Sequence, residues 1–143
     1  MAGFYFGEIL MDVRQGRCLC GGVSFRTSGE PRGVVYCHCS QCRRQTGHFY
    51  AATDVEDDRL TVEGADNITW YAASDFARRG FCGTCGSALF WKRNGSDVTS
   101  ILAGSFDRPS GLRAEAHIFV ADKGDYYDID DGLPRYPRNA SDA

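Results

Sequence analysis

A chain of 143 residues with 43% hydrophobic and 24% charged residues has the size and composition of one soluble globular domain that can own a core. The formal net charge of -3 excludes nucleic-acid binding through bulk positive charge, leaving only a local basic patch from Arg43, Arg44, Arg78 and Arg79. No window approaches the roughly 18 apolar residues of a membrane span, so neither a nucleic-acid nor a membrane partner is expected.

The sequence opens with "MAGFYFGEILMDV", whose apolar run is interrupted by Glu8 and Asp12. It lacks the basic start and small-residue cleavage site of a signal peptide. Residues 1–15 read as an N-terminal extension, with Met11 as an alternative start. Beyond it, short segments rich in Val, Phe, Tyr, Thr and Trp alternate with Gly, Asp, Asn and Ser. They predict strands over 21–27, 32–38, 48–54, 59–64, 67–73, 77–82, 87–93, 97–104 and 116–122. This spacing, with no sustained helical period, predicts a mainly β domain. "SQCRRQT" (40–46) predicts one helical turn capped by Ser40, and the Asn-Gly of "RNGSD" predicts a tight hairpin. Residues 135–143 read as a flexible tail.

Seven cysteines are many for this length, and an odd number leaves one thiol outside any disulfide framework. Their spacings are C-x-C (Cys18, Cys20), C-x-C-x-x-C (Cys37, Cys39, Cys42) and C-x-x-C (Cys82, Cys85). Cysteines this close are poor disulfide partners and good metal chelators, which points to thiolates in a reducing cytoplasm. The knuckle "FCGTCG" supplies two ligands, and "RCLCGG" offers another two. Joined, Cys18, Cys20, Cys82 and Cys85 make a closed structural zinc site. The remaining Cys37, Cys39 and Cys42 match a catalytic zinc with one position open to water or substrate. The alternative is a second closed site completed by His38, His48 or a carboxylate. The H-x-E of zinc deaminases is missing, since Cys39 and Ser40 follow His38. Arg43 and Arg44 follow the third cysteine directly, where their planar forks suit the carboxylates of a small acidic thiol. His117 alternates with strand residues and reads as a core or edge histidine.

In order and spacing, "GRCLCGGVSF", "CHCSQCRRQTG", "FCGTCGSALF", "LAGSFDRP" and "HIFVADK" resemble the glutathione-dependent formaldehyde-activating enzyme family, which includes centromere protein V relatives. The resemblance runs from about Gly16 to about Pro134 and takes in all seven cysteines. It implies a β-tent (Mss-four-like) of coiled antiparallel sheets stapled by zinc. It also implies one structural zinc on Cys18, Cys20, Cys82 and Cys85, and a second zinc on Cys37, Cys39 and Cys42, whose open position would make it the more labile of the two. The implied activity is carbon–sulfur lyase-type and S-(hydroxymethyl)glutathione synthase-like: a small thiol such as glutathione adds to formaldehyde or a related aldehyde, or the reverse. On that reading Cys37, Cys39, Cys42 and His48 serve catalysis, and Arg43 and Arg44 bind substrate. A non-enzymatic, zinc-stabilised binding or scaffold module is the alternative. The chain departs from the family pattern at His48, and at Tyr126 and Tyr127, where a tryptophan is common.

Overall fold

Alternation of apolar and polar side chains builds two sheets in the computed structural model, which describes residues 12–140. The strands are β1 (Val13–Arg17), β2 (Ser24–Ser28), β3 (Val34–Cys37), β4 (Tyr50–Glu56) and β5 (Leu60–Glu63), then β6 (Ile68–Tyr71), β7 (Ala77–Cys82), β8 (Ala88–Arg93), β9 (Val98–Leu102) and β10 (Ala114–Ile118). Among the described residues there is one α-helix, α1 (Ser40–Thr46), which follows β3. Strands β1, β2 and β5 form a three-stranded sheet, and the other seven run in the order β10-β3-β4-β9-β8-β7-β6. Every pairing is antiparallel except β10 with β3, which is parallel and makes the larger sheet mixed. Among the described residues no helix is long and apolar enough to cross a membrane.

The main core joins both sheets. Phe25 of β2 meets Phe90 of β8 edge-on at 5.9 Å between centroids, and Phe106 at 5.1 Å. Val23, Val55, Leu89 and Ile101 complete this cluster together with Cys18 and Cys82. Gly16 lets β1 approach that aromatic group: a Cβ there would lie 2.4 Å from both Phe25 Cζ and Ser105 O. The Asn94-Gly95 turn links β8 to β9 as expected, with the Ser96 N–H donating to Arg93 O at 3.1 Å.

Three expectations are corrected. Strand β1 begins at Val13, before the expected domain start at residue 16. Its polar "VRQGR" hid it, because an edge strand on a small sheet leaves alternate side chains in solvent. Residues 1–11 of the expected extension lie outside the described residues. The strand expected over 116–122 is β10, ending at Ile118, and Val120–Asp122 form a one-turn 3-10 helix after Phe119 at φ 55°. The segment read as a flexible tail is instead tied down by backbone hydrogen bonds. Tyr136 N donates to His117 O at 2.9 Å, Phe119 N to Arg138 O at 2.9 Å and Val120 N to Tyr136 O at 3.1 Å. Residues 141–143 of it lie outside the described residues.

Phe25→Ala removes the ring that joins both sheets and is expected to cost about 3–5 kcal/mol in urea unfolding. A loss below about 1 kcal/mol would contradict a shared core.

Candidate metal centre and its cavity

The turns after β1 and β7 bring four sulfurs together. Cys18, Cys20, Cys82 and Cys85 place their Sγ atoms within 4.8 Å of one another. Cys20 Sγ lies 3.7 Å from Cys18 Sγ and 3.8 Å from Cys82 Sγ. A tetrahedron with zinc–sulfur bonds of about 2.3 Å has edges of about 3.8 Å, so this donor set fits a closed four-thiolate centre. Backbone N–H groups are aimed at the sulfurs: Val23 donates to Cys18, Gly22 to Cys20 and Cys85 to Cys82, at 3.3–3.4 Å. The Ser87 hydroxyl, 3.2 Å from Cys85 Sγ, and the Ser87 backbone lower the Cys85 thiol to about 5.

The other three cysteines gather at the start of α1. Cys37 ends β3, Cys39 precedes the helix and Cys42 is buried in its first turn, with all three sulfurs within 4.8 Å of one another. Cys39, not Ser40, is the helix cap: its Sγ accepts the Cys42 N–H at 3.4 Å, and Gly47 closes the helix at φ 85°. One sulfur therefore serves as cap and as candidate ligand. Crowding separates the protonation of the three groups. Hydrogen bonding from the Cys37 and Cys42 thiols, then from the Cys42 N–H, holds Cys39 far below the usual thiol range, and nearby Arg79 adds to the effect. Cys37 is pushed up, first through its hydrogen bonds with Cys39 and Cys42.

Arg79 is the residue that sequence reasoning placed only in a basic pair. It is 5% exposed, and its guanidinium donates to Gln45 Oε1 at 3.0 Å, Gln41 Oε1 at 3.2 Å and Cys42 Sγ at 3.5 Å. It also lies over the Tyr50 ring at 5.3 Å. Burial works against its charge, but the sulfur charge of Cys42 holds its proton more tightly, for a net upward shift. The available signal was its alternation on β7, where Ala77 and Arg79 share a buried face.

A cavity of about 530 Å³ opens beside these sulfurs. Its floor is one face of the seven-stranded sheet: Val35 and Cys37 on β3, Tyr50, Ala52 and Asp54 on β4, Ser100 on β9, Trp91 and Arg93 on β8, and Arg79 on β7. Arg43 and Arg44 do not line it. Arg44 is exposed, and the half-buried Arg43 keeps its Nε without a partner among the described residues.

Neither His38 nor His48 joins the sulfur group. His48 is exposed, with Nδ1 3.1 Å from the Tyr126 hydroxyl and its ring 4.7 Å from that of Tyr127. The two departures from the family pattern thus pack on one another. His38 is fully buried and enters a chain of side chains: Tyr127 OH lies 2.6 Å from His38 Nδ1, His38 Nε2 2.8 Å from His117 Nδ1, and His117 Nε2 2.8 Å from Asp131 Oδ2. An ionised Asp131 accepts from His117 Nε2–H. With both rings neutral, His117 Nδ1 accepts from His38 Nε2–H and His38 Nδ1 accepts from the tyrosine hydroxyl; with His117 protonated, both of these bonds run the other way. His117 is buried on β10, within the core-or-edge reading of its alternation.

Comparison with known proteins identifies the family and the fold. The family model described as glutathione-dependent formaldehyde-activating enzyme matches residues 13–122. An uncharacterized lyase of Schizosaccharomyces pombe is 30% identical over 120 residues, covering 83% of this chain and 87% of the relative. A crystal structure of a Rhodobacter sphaeroides protein superposes with a TM-score of 0.53 at 23% identity, covering 85% of this chain and 98% of that one, and shows the fold alone.

Burial, then the charges of His117, Lys123 and His48, lower His38 to about 4. An unfolded imidazole takes its proton near 6.5. Between pH 6.5 and 4 the unfolded chain therefore binds a proton at this site that the folded chain refuses, and this contribution to stability is lost as pH falls through that window. NMR titration is expected to show the His38 ring neutral until pH approaches 4. A midpoint near 6.5 would contradict the buried neutral chain.

Proposed function

The chain belongs to the glutathione-dependent formaldehyde-activating enzyme family, and from that premise we propose that it adds a small thiol, most simply glutathione, to formaldehyde or a related aldehyde, or reverses that addition, in zinc-dependent carbon–sulfur lyase-type chemistry. The observation that carries this reading is the three-sulfur group of Cys37, Cys39 and Cys42 at the edge of a cavity, with a buried arginine against one of its sulfurs. Zinc held by these three cysteines supplies an electrophilic centre that favours the deprotonated form of an incoming thiol, whose free pKa is near 8.5.

In the addition, a carbon–sulfur bond forms, the carbonyl π bond breaks, and the proton lost by sulfur ends on the carbonyl oxygen. The chain's own residues set the conditions for that exchange. Arg79, fixed by Gln41 and Gln45 from successive turns of α1, offsets negative charge on Cys42 and Cys39. Trp91, Ile118 and Phe119 give the cavity apolar walls, which reduce competition from water. Arg43, Arg44 and His48 stand outside that lining, so a contribution from them would come from the outer side of α1.

Zinc-loaded wild type is expected to accelerate glutathione–formaldehyde exchange measured by NMR magnetisation transfer. Cys39→Ser is expected to abolish the acceleration. Arg79→Met is expected to reduce it about 10- to 100-fold, the range for removing one charge-assisted hydrogen bond beside a buried charge. A wild-type rate equal to the uncatalysed one would refute this substrate pair. The same null result with both metal sites saturated would favour the scaffold module.

A further inference from the structure

Three arginines, Arg32, Arg79 and Arg93, line the cavity, and two of them are already engaged. Arg32 donates to Asp54 Oδ2 at 2.7 Å and to Ala52 O at 3.0 Å, and Asp54 also accepts from Ser100 at 2.5 Å. Arg79 is committed to Gln41, Gln45 and Cys42. Arg93 differs. No ion pair or side-chain hydrogen bond involves its guanidinium among the described residues, which instead stacks on the Phe76 ring at 5.0 Å. Stacking occupies the face of the guanidinium and leaves its in-plane N–H fork available, the geometry that takes a carboxylate bidentately.

Register places this fork relative to the sulfurs. Arg79 pairs with Trp91, and Ala77 with Arg93, so Arg93 shares the cavity face and lies two register steps along from the Arg79–Trp91 pair. Two residues along a strand are roughly 7 Å. The position is fixed by backbone: Asn94 N donates to Phe76 O at 2.8 Å, and the Asn94 side chain to Asp75 O at 3.1 Å, tying the turn after β8 to the segment before β7. Asp122, the other carboxylate lining the cavity besides Asp54, follows β10 on the far side of the sheet.

Resting on the reading above, we infer that Arg93 is the specificity-determining residue of this cavity, binding a carboxylate of the thiol substrate while the thiol reaches the Cys37, Cys39 and Cys42 end. On that reading Arg93, rather than Arg43 or Arg44, meets the carboxylate that the proposed thiol substrate carries.

The test compares wild type, Arg93→Ala, Arg93→Lys and the double variant Arg43→Ala/Arg44→Ala, with glutathione and with uncharged 2-mercaptoethanol as thiols in the exchange assay. Arg93→Ala is expected to raise KM for glutathione about 10- to 100-fold. It should leave kcat within about 2-fold and 2-mercaptoethanol kinetics unchanged, and Arg93→Lys should recover part of the loss. Unchanged glutathione KM in Arg93→Ala, or equal losses with both thiols, overturns the inference while leaving the reaction intact. A calorimetric titration with S-methylglutathione, which keeps both carboxylates and cannot react, separates the two claims. If wild type proves inactive in exchange, weaker S-methylglutathione binding by Arg93→Ala than by wild type still supports Arg93. Equal affinity, or no binding to either, overturns it.

Discussion

Four sulfur atoms converging on one point are the constraint from which the rest of the arrangement follows. Cys18 and Cys20 come from the small sheet, Cys82 and Cys85 from the large one, and their sulfurs lie at the spacing of a tetrahedral thiolate centre. Cys18 and Cys82 also belong to the core cluster around Phe25 and Leu89, so the link between sheets is apolar on one side and ionisable on the other. Bare thiolates this close would repel strongly, and a bound cation would turn that repulsion into folding energy. With those four committed to each other, Cys37, Cys39 and Cys42 are left as a separate set at the start of α1.

That second set is held by local chemistry. The helix after β3 needs an acceptor for its first N–H groups, and Cys39 provides it, which brings its sulfur close to that of Cys42. The same helix carries Gln41 and Gln45 one turn apart, and both accept from Arg79. A cation is thereby buried where the sulfurs concentrate negative charge. The Tyr127–His38–His117–Asp131 chain gives every ring nitrogen of two buried imidazoles a partner, and His38 stays out of the sulfur group formed by its sequence neighbours.

The sequence made some of this readable and hid the rest for physical reasons. Cysteine spacing marks two metal-type groups because close pairs have few other uses, and alternation with turn residues marks the strands. The cap of α1 was misplaced by one residue because sulfur is not counted among the usual capping atoms. Strand β1 was missed because its exposed side chains are polar, and the parallel β10–β3 pairing because register between distant segments leaves no local trace. Arg79 reads only as half of a basic pair and Arg93 as an ordinary strand residue for a related reason: adjacency in sequence marks Arg43 and Arg44, whereas the cavity selects residues by the sheet face they share. His48 and Tyr126 each looked like an isolated departure, and only the folded chain brings them together.

The central claim is that the seven cysteines divide into a staple and a separate three-sulfur site. It is tested most directly by zinc content per chain together with thermal unfolding for Cys39→Ser and Cys82→Ser. The account predicts that Cys39→Ser stays cooperatively folded with one zinc fewer than wild type, while Cys82→Ser loses its cooperative transition. Unfolding of Cys39→Ser to the same degree as Cys82→Ser, or an unchanged zinc content in both, would contradict it.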